Sequence, residues 1–111
     1  MIVEISFVPI GSGTSLSKYI SEVIKNIEKS GLKYQLTPMG TIVEGDWEDI
    51  SALIDQSHKL IFQMGIERII TNIKIDYRID KKSSMEDKIN SFKKKMVEAD
   101  VWEKNNSSFG R

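Results

Sequence analysis

Cysteine is absent from the 111 residues. That excludes disulfides, thiolate catalysis and cysteine-ligated zinc. There is a single histidine, His58, so a centre built from several imidazoles is excluded too. An excess of either charge is also missing: 16 Lys+Arg face 16 Asp+Glu, for a formal net charge of zero. Proteins steered to nucleic acid or to a membrane surface carry a basic surplus, so neither partner is expected. No apolar run approaches the roughly 18–20 residues that cross a bilayer. The first residues open directly on a strand-like pattern with no basic leader, so no secretory signal is expected and the cytoplasm is the expected location.

What is present is an ordinary globular mixture. Hydrophobic residues make up 40% and charged residues 29%. The length suits one domain. It is expected over residues 1–100, including a C-terminal helix, with a polar tail over residues 101–111.

Residues 1–10 alternate. Val3, Ile5, Phe7 and Pro9 share one face, and Glu4, Ser6 and Val8 share the other. Pro9 falls at the far end, where a lost ladder donor is tolerated. Leu16, Tyr19, Ile20, Val23, Ile24 and Ile27 then recur at helical spacing. Thr14, Ser15 or Ser17 can cap that helix, and Gly31 suits its end. Two short extended segments, 33–37 and 41–44, flank Pro38-Met39-Gly40 and predict a hairpin. Asp46 is the expected cap of a second helix, whose stripe is Ile50, Leu53, Ile54, Ile61 and Met64, with Gly65 at its end. Residues 69–79 alternate as a long strand. Ser83 with Glu86 offers a capping box for a third helix with the stripe Met85, Ile89, Phe92 and Met96.

The order is strand, helix, strand, strand, helix, strand, helix. Right-handed crossovers then predict an α+β, ferredoxin-like split βαβ sandwich with an appended C-terminal helix. Two helices cover one sheet face only. The other is expected to display Glu4, Ser6, Val8, Gln35, Thr37, Ile42, Glu44, Ile70, Asn72, Lys74, Asp76 and Arg78. That face mixes apolar, hydroxyl, amide and charged groups. It suits a partner subunit or a pocket with a few placed polar groups, and equally an ordinary solvated surface.

Individual motifs carry little chemistry. The run Gly11-Ser12-Gly13-Thr14-Ser15 lies between strand and helix but lacks the Gly-Lys-Ser/Thr ending of a phosphate loop; a capped turn explains it equally. His58 reads as a packing or hydrogen-bonding residue. Glu4, Glu44 and Asp76 can converge on the open face, as acid–base groups, as a cradle for a cation, or as partners of Lys74 and Arg78. Lys93-Lys94-Lys95 reads as a solvated helix face. An RNA-reading sheet would display aromatics on its central strands, and these strands do not.

The runs Ser6-Phe7-Val8-Pro9-Ile10-Gly11 and Tyr34-Gln35-Leu36-Thr37-Pro38-Met39-Gly40-Thr41-Ile42-Val43-Glu44-Gly45, with Asp46-Trp47, His58, Gly65-Ile66-Glu67-Arg68-Ile69 and Ile73-Lys74-Ile75-Asp76-Tyr77-Arg78, resemble the small thiamine-binding-protein-like family over residues 1–98. The resemblance implies a ferredoxin-like fold, homo-oligomers (dimers pairing into tetramers) and no established enzymatic activity, so a non-enzyme is expected. It implies, from some relatives, a ligand such as thiamine or its hydroxymethylpyrimidine moiety bound near subunit contacts; no cofactor or metal is expected. Carried over, the candidate ligand-binding residues are Ser6, Thr37, Met39, Gly40, Thr41, Glu44 and Asn72. Thr37, Thr41 and Asn72 can satisfy the donors and acceptors of an aminopyrimidine, Glu44 can meet its amino group or a thiazolium, and Met39 can lie on a flat ring. The alternative for the Thr-Pro-Met-Gly-Thr block is a purely conformational role in a hairpin bend. For the whole chain the alternative is a regulatory or assembly module.

Overall fold

The structure is a computed structural model that describes residues 1–13, 16–82 and 84–105, with side chains described through residue 98. Seven elements follow in order: β1 (Ile2–Ile10), α1 (Ser17–Lys29), β2 (Lys33–Thr37), β3 (Gly40–Glu44), α2 (Trp47–Gln63), β4 (Arg68–Asp76) and α3 (Met85–Asn105). The sheet is antiparallel in the order β2-β3-β1-β4. This is the ferredoxin-like α+β sandwich with an added helix.

Strand parity decides the core. Val3, Ile5 and Phe7 on β1 and Val43 on β3 are buried against Tyr19, Val23 and Ile27 of α1 and Ile50, Leu53, Ile54 and Ile61 of α2. Each such side chain contributes about 1.5–3 kcal/mol on burial. Between the helices, the buried Ser57 hydroxyl donates to the Leu53 carbonyl at 2.8 Å and accepts from Asn26 Nδ2 at 3.3 Å. No polar atom of Ser57 is therefore left unpaired. His58 Nε2 lies 2.6 Å from Thr71 Oγ1, and its ring meets Phe7 edge-on at 5.5 Å. It is a packed, hydrogen-bonded histidine on the helix side.

Several local expectations need correction. The α1 N-cap is Leu16, with no side-chain cap bond; Thr14 and Ser15 lie outside the described residues. Asp46 occupies the α2 cap position in extended conformation but its carboxylate makes no cap bond. Ser83 is not among the described residues, and the hydroxyl that accepts from the Asp87 N–H, at 3.1 Å, belongs to Ser84. β4 stops at Asp76 rather than at residue 79, because Asp76 pairs with Ile2 and β1 offers no further partner. Gly31 and Gly65 do follow α1 and α2 with positive φ, as expected.

The β2–β3 hairpin turns through Pro38 and Met39, neither of which has positive φ. Pro at the first central position fits a type I turn. The Thr37 hydroxyl donates to the Gly40 carbonyl at 3.0 Å and accepts from the Met39 N–H at 3.3 Å. A Cβ on Gly40 would sit 2.8 Å from the Ile5 carbonyl oxygen, inside van der Waals contact with the neighbouring strand. Gly40 is thus needed for close packing of β3 on β1.

α3 begins across the far side of the sheet. Lys33, Glu44, Ile2 and Asp76 align in register across all four strands. Glu86 of α3 pairs with Lys33 at one end of this row, and Lys88 pairs with Asp76 at the other. Met85 and Ile2 are both buried outside the main core cluster. Past this first turn the helix leaves the domain: Ile89, Phe92, Met96 and Val97 are exposed, and the molecule measures 62 × 35 × 19 Å. The stripe expected to be buried is therefore covered by this chain only at Met85. The helix also continues through residues 101–105, which the sequence pattern places in the tail.

Two predictions follow from this packing. Gly40→Ala should destabilise the fold by about 1–3 kcal/mol, read as a lower urea midpoint with unchanged slope; an unchanged midpoint would remove the close-approach argument. Hydrogen bonds from Lys88 and Lys33 hold the carboxyls of Asp76 and Glu86 below their ordinary range. Their contribution to α3 docking is therefore complete above the usual carboxylate pKa of about 4 and is lost as pH falls through the lowered values. The Met85 methyl resonance should keep its docked position from pH 8 to 5 and shift on acidification before that of Val43; simultaneous loss of both would contradict a separately held helix.

Candidate functional site

The uncovered sheet face is built in rows. Above the row that α3 crosses lie Gln35, Ile42, Glu4 and Lys74, in register. Next come Thr37, Gly40, Ser6 and Asn72: Thr37 pairs with Gly40, Ser6 with Asn72, and Ser6 Cβ lies 3.5 Å from a Cβ built on Gly40. Val8 and Ile70 pair above them and are 38% and 45% exposed. Strand alternation puts these side chains on the face opposite α1 and α2 because their neighbours fill the core.

The structure divides the residues expected to bind ligand. Ser6, Thr37, Gly40 and Asn72 share one row of the open face. Ser6 and Asn72 are direct cross-strand partners on β1 and β4. Thr37 is on β2, three strand spacings or about 14 Å from Asn72, and its hydroxyl is engaged in the turn. Thr41 pairs with Ile5 and Leu36 and so points to the helix side, away from the others. Met39, in the turn, is 83% exposed. Glu44 is four residues along β3 from Gly40, about 13 Å. Thr37, Glu44 and Asn72 therefore do not converge on one small ring within a single chain. The Thr-Pro-Met-Gly-Thr block has a conformational explanation in this hairpin.

Glu44 instead lies beside α3. Its Oε2 is buried without a hydrogen-bond partner, 3.9 Å from Lys33 Nζ. Lys33 also binds Glu86, and that hydrogen bond above all raises its pKa. Among the described residues, the carboxylate that stands open on the face is that of Glu4, which enters no ion pair.

The cavity on this face has a volume of about 490 Å³ and is lined by Ile2, Glu4, Ile42, Lys74, Asp76 and Lys88, together with Ile75 and Tyr77. Ile2 and Ile42 supply apolar surface, Glu4 a free carboxylate, and the Asp76–Lys88 pair a charged wall. The size is that of a small-molecule site. Ser6 and Asn72 stand one row above Glu4 and Lys74. Alternation along β1, β3 and β4 could have identified Glu4, Ile42 and Lys74 as a cluster; the wall supplied by α3 has no local sequence signal.

Among the described residues no helix is long and apolar enough to cross a membrane. A family profile described as thiamine-binding protein matches residues 3–93. The UPF0045 protein YqgV of Bacillus subtilis is 44% identical over 98 residues, covering 84% of this chain and 94% of that protein. The UPF0045 protein MJ1052 of Methanocaldococcus jannaschii is 34% identical over 89 residues, covering 80% and 88%. The crystal structure of MJ1052 superposes with a TM-score of 0.77 over 82% of this chain and 93% of that one, at 33% identity. A Thermotoga maritima protein, provisionally assigned to thiamine biosynthesis or salvage, superposes at 0.73 with 27% identity, covering 82% and 96%. The names of these curated relatives assign no reaction. With its βαββαβ sandwich, its exposed second sheet face and this match along nearly the whole sheet, the chain belongs to the thiamine-binding protein (UPF0045) family.

Proposed function

We propose that this protein binds thiamine or a hydroxymethylpyrimidine-like heteroaromatic on the uncovered sheet face and does not turn it over. The observation that supports this most directly is the 490 Å³ cleft with apolar Ile2 and Ile42 beside the carboxylate of Glu4, which enters no ion pair among the described residues. A flat ring covers the apolar surface. The Glu4 carboxylate accepts from an exocyclic amino group or neutralises a thiazolium. Ser6 and Asn72, at the upper edge, offer a hydroxyl and an amide that pair with ring nitrogens. The reading keeps Ser6 and Asn72 from the expected set and replaces Glu44 with Glu4. The family name and the thiamine assignment of the Thermotoga neighbour agree with it. It requires no metal or cofactor, and cytoplasmic placement fits it.

One chain leaves the cleft open. Val8, Ile42 and Ile70 share its face and need an apolar cover, which a second copy of the chain supplies in a dimer or tetramer. The exposed stripe Ile89, Phe92, Met96 and Val97 on α3 favours a second reading, an assembly module whose helix docks on a partner.

Calorimetric titration separates the two. Thiamine or hydroxymethylpyrimidine should bind, and Glu4→Gln should weaken binding by about 1–3 kcal/mol. Absence of heat with both ligands at millimolar concentration would overturn the ligand-binding reading and leave the assembly module.

A further inference from the structure

A second concavity, of about 440 Å³, lies between the end of β4 and α3. Five basic side chains line it, Arg78, Lys81, Lys82, Lys88 and Lys95, against two acidic ones, Asp76 and Asp87. In a chain of zero net charge this is a pronounced local surplus.

The pairing inside the cleft shows which charges are committed. Lys88 binds Asp76. Arg78 donates twice to Asp80, Nε to Oδ1 at 2.8 Å and Nη2 to Oδ2 at 2.5 Å. Among the described residues Lys81, Lys82 and Lys95 enter no ion pair. Asp87, also outside any ion pair among the described residues, offsets one of these three ammonium groups, and the surplus that remains favours an anion in the hollow. The same hollow contains the Ser91 hydroxyl and the ring of Phe92, which is 58% exposed. An exposed aromatic beside unpaired lysines offers a face to a planar group and point charges to a polyanion.

We propose that this cleft is a binding site for a small phosphate-bearing molecule, with its phosphates held by Lys81, Lys82 and Lys95 and a flat ring laid on Phe92. The volume fits a small molecule. A basic hollow of this size in a chain of zero net charge does not fit an extended nucleic acid, which needs a basic track along its backbone. The site shares the Asp76–Lys88 wall with the open-face cleft, but Lys81, Lys82, Phe92 and Lys95 line this hollow alone, and it does not depend on thiamine binding there.

The test uses the full chain, with inorganic pyrophosphate and adenosine diphosphate as probes. Both should bind, with affinity falling steeply as salt rises. Lys81→Gln/Lys82→Gln should lower both affinities at least tenfold while the far-ultraviolet dichroism and the thiamine titration stay as in the parent chain. Phe92→Leu should weaken adenosine diphosphate and leave pyrophosphate unchanged. No binding of either probe, equal binding by the double variant, or lysine-dependent binding of a short RNA in place of both probes would each overturn the proposal.

Discussion

A four-stranded sheet has two faces, and α1 and α2 are both spent on one of them. Val3, Ile5, Phe7 and Val43 are buried there, while Ser6, Val8, Ile70 and Asn72 on the same or neighbouring strands have no helix above them. The rest of the architecture answers to this imbalance. α3 crosses the bare face only along its lowest row, anchored at both edges of the sheet by Lys33–Glu86 and Asp76–Lys88. The anchors are exposed ion pairs, which individually contribute little. Their geometry sets where the helix lies more than how stable the domain is.

That one helical turn creates two hollows. Asp76 and Lys88 line both the open-face cleft and the basic cleft beyond β4. On one side of the pair the surface is apolar with Glu4 and Lys74 facing each other across β1 and β4, a carboxylate and an ammonium that suit the donors and acceptors of an amino-bearing ring. On the other side lysines accumulate around Phe92, which suits an anion. In a chain with no net charge the first hollow is formally balanced, Glu4 and Asp76 against Lys74 and Lys88, and the second carries the basic surplus.

Much of this was legible in the sequence. Period-two alternation on β1 and β4 gives the correct faces for Glu4, Ser6, Val8, Ile70 and Asn72, because side-chain direction in a strand depends only on parity. Helical stripes give the core of α1 and α2. Three things were not legible. The end of β4 depends on where β1 runs out, a pairing fact rather than a property of residues 77–79. The roles of Thr37 and Gly40 depend on a turn hydroxyl and on the Ile5 carbonyl across the sheet. The position of Glu44 beside Lys33 depends on α3, which arrives from about forty residues later in the chain. A helical stripe, likewise, shows that α3 has an apolar side but not what covers it.

The central claim is that the face bearing Ser6 and Asn72 is a working surface, bare in the isolated chain and covered in use. Because the chain has no cysteine, Ile70→Cys introduces a single reporter thiol on that face, two residues from Asn72 and outside the ligand-contacting set. Its modification rate should be fast in dilute protein and fall as protein concentration is raised or thiamine is added. A rate that stays the same across both series would contradict the account.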